Sequence, residues 1–237
     1  MFSTATQCLR RFKLCYIDKV VPNVPESGDL AFGSALHSGL NSSIMGENGT
    51  EVFEIYWDSY QGKPLQYGRF KWAELRELGL NFLAKFQRLH ANKYRVDSAE
   101  KRLYSSYKDV RLEGTYDFLG TYNGRKSLRD FKTSGYNYDK DKALCALQLN
   151  LYAYLALQNK LVDKIETLGY TVFNKGTGSI QDLTWEFSEK AMMKHLDNMV
   201  AYCKKFDVEP TDENFPCNPN SMLYPNKCPY FPCCGGE

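Results

Sequence analysis

Asp117, Asp130 and Lys132 fall in one stretch, LEGTYDFLGTYNGRKSLRDFKTSGYN, residues 112–137. Two carboxylates and an ammonium in two short strand-like runs are costly as packing, because charged side chains seldom enter a core unpartnered. Residues two apart on a strand share a face. Asp130 and Lys132 therefore project together, while Phe131 points to the opposite face, into the core. Asp117 lies in the preceding run, and Asn123-Gly124 between the runs is the strongest short hairpin signal. The hairpin can set Asp117 near Asp130, with the register left open. Such a group suits a hard divalent cation, since Mg²⁺ takes one or two carboxylates plus substrate phosphate and water. The cation lowers the pKa of bound water and neutralises charge building on a phosphoryl group. A lysine beside it can orient that water. Phosphodiester hydrolysis is the chemistry that uses all of these parts.

Taken alone, Asp130-x-Lys132 reads as an ion pair on an exposed strand. Its company argues otherwise. Gln148 and Tyr152, four apart in an otherwise apolar run, share a helical face and could hold the lysine, a water or a scissile phosphate. A lone His37 is more often a satisfied core or surface residue than a ligand, and only the downstream carboxylates make ligation the better reading.

The elements that must position these groups follow from periodicity. Residues 3–20 read as a helix capped by Ser3 or Thr4, 22–29 as a loop, and DLAFGSALHSGLNSSIMG as a helix carrying His37 in its first half. Residues 70–91 form the best amphipathic helix, with apolar positions at Phe70, Leu75, Leu78, Phe82, Leu83 and Phe86. Strand-like segments follow at 99–107, 110–120 and 126–134. Then come a helix over DKALCALQLNLYAYLALQNK, a strand over KIETLGYTVFNK and a helix over 188–206. Tyr154 reads as core. His90 closes its helix and answers the C-terminal dipole. Cys145 and Cys203 read as small apolar residues in helices. This element order predicts an α/β domain with a mixed central sheet flanked by helices.

The 237 residues suffice for one sizeable core. Hydrophobic content of 43% and charged content of 24% are those of an ordinary globular chain. The formal charge of +2 announces no global affinity for nucleic acid, so such binding would need a local patch. Arginines occupy the place of a signal peptide's apolar run, and no uncharged apolar stretch reaches the ~20 residues of a membrane span. A cytoplasmic protein with no membrane partner is expected. Of eight cysteines, Cys217, Cys228, Cys233 and Cys234 cluster near the C-terminus. Without a secretion signal, metal ligation is a fair alternative to disulfides.

Gly114-Thr115-Tyr116-Asp117, then Asp130-Phe131-Lys132-Thr133, then Gln148-Leu149-Asn150-Leu151-Tyr152 closely resemble, in order and spacing, the RecB-like branch of the PD-(D/E)XK nuclease superfamily. That branch includes phage exonucleases, CRISPR-adaptation nucleases and the nuclease domains of bacterial recombination helicase-nucleases. FSTATQCLRRFKLCYID resembles its opening helix, FGSALHSGL its Gly-x-x-x-His motif and NPNSMLYPNKCPYFPCC its terminal cysteine cluster, so the likeness runs from end to end. The resemblance implies a single restriction-endonuclease-like domain over 1–237, with a cysteine-rich C-terminal tail. Segments 1–20 and 215–237 would form a cluster-binding closure. It implies His37, Asp117, Asp130 and the Phe131 carbonyl as ligands to Mg²⁺ or Mn²⁺, and Lys132 as the catalytic lysine. Gln148 and Tyr152 would support the site. Glu100 sits where some relatives carry a further acidic residue. It is weighed evenly against an ordinary surface glutamate.

Many members of the branch hold a [4Fe–4S] cluster on one N-terminal and three C-terminal cysteines. Cys8, Cys228 and Cys234 match three of these ligands. The fourth position holds Met222, and Cys217 is the available substitute, with Cys15 or Cys233 as others. A three-ligand site, a zinc site or a vestigial one stay open. Arg10, Arg11 and Lys13 fit either a solvated face or contacts to the DNA backbone. The implied activity is that of a metal-dependent deoxyribonuclease, an exonuclease first, acting on single-stranded DNA or duplex ends. It would work in a bacterial cytoplasm or as a phage product there. Two other readings stand beside it. One is a DNA-end-binding subunit of a recombination or CRISPR-adaptation complex with little activity alone. The other is a protein whose iron–sulfur cluster carries the function.

Overall fold

The computed structural model describes residues 2–22, 24–141, 147–218, 220 and 228–230. The chain divides into two compact units, one of Glu26–Val200 and one of Met1–Pro25 with Ala201–Glu237. No helix among the described residues is long and apolar enough to cross a membrane.

The larger unit is built on a five-stranded sheet: β3 (Tyr94–Tyr107), β4 (Val110–Tyr122), β5 (Arg125–Ser134), β6 (Thr167–Asn174) and β7 (Ser179–Glu186), in that spatial order. A two-residue parallel pair, β1 (Glu26–Ser27) with β2 (Leu65–Gln66), stands apart from it. In the main sheet β3, β4 and β5 run antiparallel, β5 and β6 parallel, and β6 and β7 antiparallel. Asn123 and Gly124 turn β4 into β5 with φ of +49° and +79°, the two positive values of a type I′ hairpin. The turn sets the register, pairing Tyr122 with Arg125 through to Phe118 with Arg129. The parallel pair needs a crossover, and helix α6 (Leu147–Gln158) supplies it. Strand β6 is buried along its whole length, so its sequence, TLGYTVFN, shows no polar alternation.

One sheet face carries the core. Helices α3 (Gly28–Ile44), α4 (Gly49–Asp58) and α5 (Trp72–Leu89) press Phe32, Phe53, Trp57, Phe82 and Phe86 against Tyr94, Phe118, Phe131 and Phe173 of the strands. Burying each phenylalanine contributes roughly 2 kcal/mol. Helix α5 starts where the backbone N–H of Lys71 donates to Glu74 Oε2 at 2.8 Å, one half of a capping box. Helices α3 and α4 meet at Gly39 and Gly49. A Cβ on Gly39 would come within 2.6 Å of the Gly49 carbonyl oxygen, so only glycine permits that approach. Helix α6 covers the other face, packing on β3, β4 and β5. Tyr154 lies there as expected, buried, its hydroxyl donating to the Ser106 carbonyl at 2.8 Å.

A buried polar knot sits within the core. Arg129 is fully buried, with its guanidinium 3.8 Å from the Tyr122 ring centroid. It donates to Thr184 Oγ1 at 2.8 Å and to the Tyr170 carbonyl at 3.0 Å. Asp182 Oδ1 lies 3.5 Å from it. The other oxygen of Asp182 faces Lys93 Nζ at 3.0 Å and His90 Nδ1 at 2.9 Å. His90 closes α5 as its C-cap, and its ring meets Asp182.

Two elements stand where none was expected, and one expectation changes. Helix α4 lies in a stretch to which the sequence reading assigns no element; Asn48 caps it, its side chain accepting the Glu51 N–H at 3.3 Å. Strand β7 is polar on its outward positions and gives no hydrophobic alternation. The helix expected over 3–20 is broken. In the smaller unit α1 (Phe2–Gln7) and α2 (Leu9–Phe12) are separated by Cys8, which is extended at φ −157° and caps α2 through its sulfur. A π-type turn over Lys13–Ile17 follows. Helix α7 (Glu189–Cys203) is as expected, and the division between units falls in its last turn.

Candidate active site

The sequence sets His37 and Asn41 one turn apart on α3, Glu100 on β3, Asp117 on β4, and Asp130 and Lys132 on β5. The sheet brings them together by letting two strands part. The last β4–β5 rung is Phe118 with Arg129. One residue further the backbones no longer pair, and Asp117 Oδ2 takes the place of a ladder oxygen, accepting the Phe131 N–H at 2.6 Å. The N–H and C=O of one strand residue lie on the same edge. The Phe131 carbonyl therefore faces β4 and the parted strands, not β6.

Across β4 lies Glu100. Its neighbours pair as Ala99 with Phe118 and Lys101 with Tyr116, so Glu100 stands opposite Asp117. Glu100 has φ of +47°, the left-handed region, which costs a non-glycine residue about 1 kcal/mol or more and clusters at functional sites. Asn41 Nδ2 donates to Glu100 Oε1, while Asn41 Oδ1 is buried with no hydrogen-bond partner. His37 Nδ1 lies 3.5 Å from Asp117 Oδ2. His37, Glu100 and Asp117 each offer a ligand atom, all within 4.8 Å of one another.

Asp130 lies outside that trio. It is 2% exposed, and Lys132 Nζ approaches its Oδ2 at 2.6 Å. The contact pairs the two charges within the protein. Lys132 also lies over the Tyr170 ring, 5.8 Å from its centroid. On α6, Gln148 Nε2 donates to the Tyr152 hydroxyl at 2.8 Å. The Tyr152 ring lies over Gly114, where a Cβ would meet its Cε1 at 2.6 Å. Gly114 of the Gly-Thr-Tyr-Asp run thus seats the tyrosine.

The charges shape one another. Burial and then the Asp117 carboxylate push Asp130 above the usual carboxylate range, against the pull of Lys132. Burial opposes the charge on Lys132, but Asp130 outweighs it and holds the ammonium protonated. Burial likewise opposes charge on His37, and Asp117 overcomes it. Glu100 is raised by burial and by Asp117. Burial lifts the Tyr152 phenol to about 12, keeping it a neutral donor. Three carboxylates, Glu100, Asp117 and Asp130, crowd a half-dry site, and the Asp117 charge raises both of the others. Two hard oxygen donors and an imidazole close by suit Mg²⁺ or Mn²⁺. The residues fit such a cation.

The expected cysteine site stands differently. Cys8 Sγ accepts the Asn218 N–H at 3.4 Å and the Arg11 N–H at 3.5 Å. Cys228 is buried with Leu14 and Tyr230, with Cys15 packed against them, and Cys217 is half-buried. Cys145, Met222, Cys233 and Cys234 lie outside the described residues. Among the described residues no trio of cysteine sulfurs lies within 4.8 Å. Two of the basic residues weighed for DNA are engaged within their own unit. Arg10 donates to the Phe215 carbonyl at 2.9 Å and pairs with Asp212, and Lys13 pairs with Asp18 at 2.7 Å.

Sequence reading missed Asn41, although its place one turn beyond His37 on a helix was the available signal. Nothing local announced the backbone of Glu100.

Comparison with known proteins bears on the fold and the family. A search of curated proteins finds no match. A solved structure of a Eubacterium rectale protein, described as a candidate exonuclease, superposes with a TM-score of 0.56 at 11% identity, over 96% of this chain and 80% of that one. At that identity the likeness concerns the fold alone. A second structure, SSO0001, gives 0.30 at 15% identity over 82% of this chain and 84% of its own, and carries no argument. The mixed five-stranded sheet flanked by helices is a restriction-endonuclease-like fold. The family model of the PD-(D/E)XK nuclease superfamily matches residues 2–235, and the chain belongs to that superfamily.

Proposed function

We propose that this protein is a divalent-metal-dependent deoxyribonuclease that removes nucleotides from DNA ends. The observation that carries the reading is the meeting of His37, Glu100 and Asp117 within 4.8 Å, beside a buried Asp130–Lys132 pair. His37, Glu100 and Asp117 would hold Mg²⁺ or Mn²⁺, with Asp130 and the Phe131 carbonyl at its edge. When bound, the cation would supply an acidified water and a counter-charge for the phosphoryl oxygens.

The chain's own groups do the rest. Lys132 is protonated, so its Nζ donates to the attacking water or to a non-bridging oxygen and does not act as a base. Asp130 fixes that ammonium. Gln148 and Tyr152 present neutral donors from α6 and orient the diester. Hydrolysis forms a bond from water oxygen to phosphorus and breaks the bond from phosphorus to the leaving sugar oxygen, which takes up a proton. Much of the gain comes from holding these groups in line.

Cys8, Cys217, Cys228 and Cys234 are proposed as a thiolate set for a [4Fe–4S] cluster that ties the two chain ends together, and the hydrolysis above does not use it. Arg11 is the remaining candidate for contact with the DNA backbone from the first helices. A recombination or CRISPR-adaptation protein is the partner class that this fold suggests.

Digestion of end-labelled single- and double-stranded DNA tests the reading, with Mn²⁺, with Mg²⁺ and with chelator, for the wild type and Lys132→Ala. Cutting by the wild type that chelator and Lys132→Ala both abolish is the expected result, and the label reports polarity. Equal cutting by Lys132→Ala overturns the assignment. An inert wild type that still binds DNA ends favours the end-binding subunit.

A further inference from the structure

Strands β3 and β4 run on past the site as a long hairpin, and the rungs beyond Glu100 and Asp117 carry a pattern that the proposed hydrolysis does not use. Arg102 pairs with Thr115, Tyr104 with Glu113, and Ser106 with Arg111. Residues two apart share a face, so Arg102, Tyr104, Ser106, Arg111, Glu113 and Thr115 lie together. Leu103, Leu112 and Gly114 take the opposite face. The two leucines are buried, and Gly114 lies against Tyr152 of α6. The first face is open: Tyr104 is 43% exposed. Two guanidiniums lie over its ring, Arg102 Cζ at 5.5 Å and Arg111 Cζ at 5.2 Å from the centroid. The acidic group there, Glu113, pairs with Arg102.

Exposed tyrosines are ordinary when scattered. This one sits four residues from Glu100 on the same strand, about 13 Å away at a strand's rise. Both arginines are exposed, so a guanidinium can leave the aromatic face to an unpaired base and carry its counter-charge to a phosphate. Those are the two parts of sequence-tolerant single-strand binding. A duplex keeps its base faces stacked and could use only the charges.

We propose that the Arg102–Tyr104–Arg111 face of the β3–β4 hairpin is a track for single-stranded DNA. It would stack one base on Tyr104 and hold the strand a few nucleotides from the scissile phosphate. The assignment deepens the nuclease reading, since it names the strand form the same site receives.

The test is fluorescence anisotropy of a labelled oligothymidylate, with chelator present so that nothing is cut. A blunt duplex and a labelled oligoglutamate peptide serve as comparisons. Tyr104→Ala weakens single-strand binding about tenfold, and Tyr104→Trp restores it. Arg102→Gln with Arg111→Gln flattens the dependence of log affinity on log salt by about 1.4, at about 0.7 per phosphate contact on single strands. These side chains are exposed, so thermal unfolding of the variants stays at the wild-type temperature. Wild-type affinity in Tyr104→Ala overturns the proposal. So does an equal loss on blunt duplex, or oligoglutamate binding that depends on Tyr104 as strongly. Failure of the nuclease reading is seen elsewhere, in the Lys132→Ala digest. A protein that cuts nothing yet loses oligothymidylate through Tyr104→Ala keeps the track and loses the reaction.

Discussion

Asp117 Oδ2 accepts the Phe131 backbone N–H at 2.6 Å, at the point where β4 and β5 cease to pair. One carboxylate therefore does two things: it replaces a rung of the sheet, and it brings negative charge beside His37 and Glu100. Two substitutions separate these roles. Asp117→Asn keeps an oxygen that accepts the Phe131 N–H and loses the charge. Asp117→Ala also orphans a buried N–H, costing about 1–3 kcal/mol. Urea unfolding is expected to show Asp117→Ala clearly destabilised and Asp117→Asn close to wild type. Titration calorimetry with Mn²⁺ should show weakened binding in both. Equal stability of the two variants would remove the structural half of this account.

Crowded carboxylates link the fold to the cation. A ligand that binds only the native state stabilises it, by about 2.7 kcal/mol at a hundredfold excess over Kd. Mn²⁺ should raise the unfolding temperature of the wild type. Glu100→Gln should lose most of that rise, and Asn41→Leu, which removes the amide that fixes Glu100, should lose part of it. An unchanged Mn²⁺ response in Glu100→Gln would place the cation elsewhere, on Asp130.

The buried knot predicts acid sensitivity of its own. Burial opposes the charge on Asp182, but Lys93 and Arg129 outweigh it and hold the carboxyl below its ordinary value of 3.8. A depressed native pKa means that stability is complete above pH 3.8 and is lost as pH falls below it through the native value. Asp182→Asn strips the fully buried Arg129 of its counter-charge and should cost about 3 kcal/mol at neutral pH. Its unfolding free energy should then vary less between pH 4.5 and 2.5 than that of the wild type, at about those pH limits. A parallel pair of acid profiles would show that the knot is not what titrates.

How much of this was legible is a matter of range along the chain. Asn123-Gly124 fixes a hairpin within two residues, and period two then settles that Asp130 and Lys132 share a face with Phe131 opposite. His37 needed the carboxylates downstream before it counted, because a helical histidine has no local signature. Asp130 was expected among the ligands with His37, Asp117 and the Phe131 carbonyl, and Glu100 only as a possible addition; the fold sets Glu100 within 4.8 Å of His37 and Asp117. That placement goes with the left-handed backbone of Glu100, which no sequence pattern announces. Helix α4 and strand β7 were missed for a related reason. One is held by a cap and by burial of Phe53 and Trp57, the other by an edge position on β6, and both override weak local preference.

Gly114 gives the sharpest mutational test of the α6 side of the site. It belongs to the run that ends in Asp117, yet its role is to leave room. A Cβ there would stand 2.6 Å from Tyr152 Cε1, 2.9 Å from Cδ1 and 3.3 Å from Leu155 Cδ1. A buried ring cannot swing aside like a surface side chain, so in Gly114→Ala the tyrosine must shift and take Gln148 with it through their 2.8 Å hydrogen bond. Overpacking of this kind costs about 1–3 kcal/mol, which still permits folding. Displacement of positioning groups by about an ångström costs on the order of a hundredfold in rate. The expected variant is folded, binds Mn²⁺ through His37, Glu100 and Asp117 as the wild type does, and cleaves DNA on the order of a hundredfold more slowly. Shrinking the ring with Tyr152→Leu in the same chain should recover the stability but not the rate, since the phenol is gone. If Gly114→Ala cleaves at the wild-type rate, the Gln148–Tyr152 pair does not position the diester, and α6 serves only as cover for the sheet.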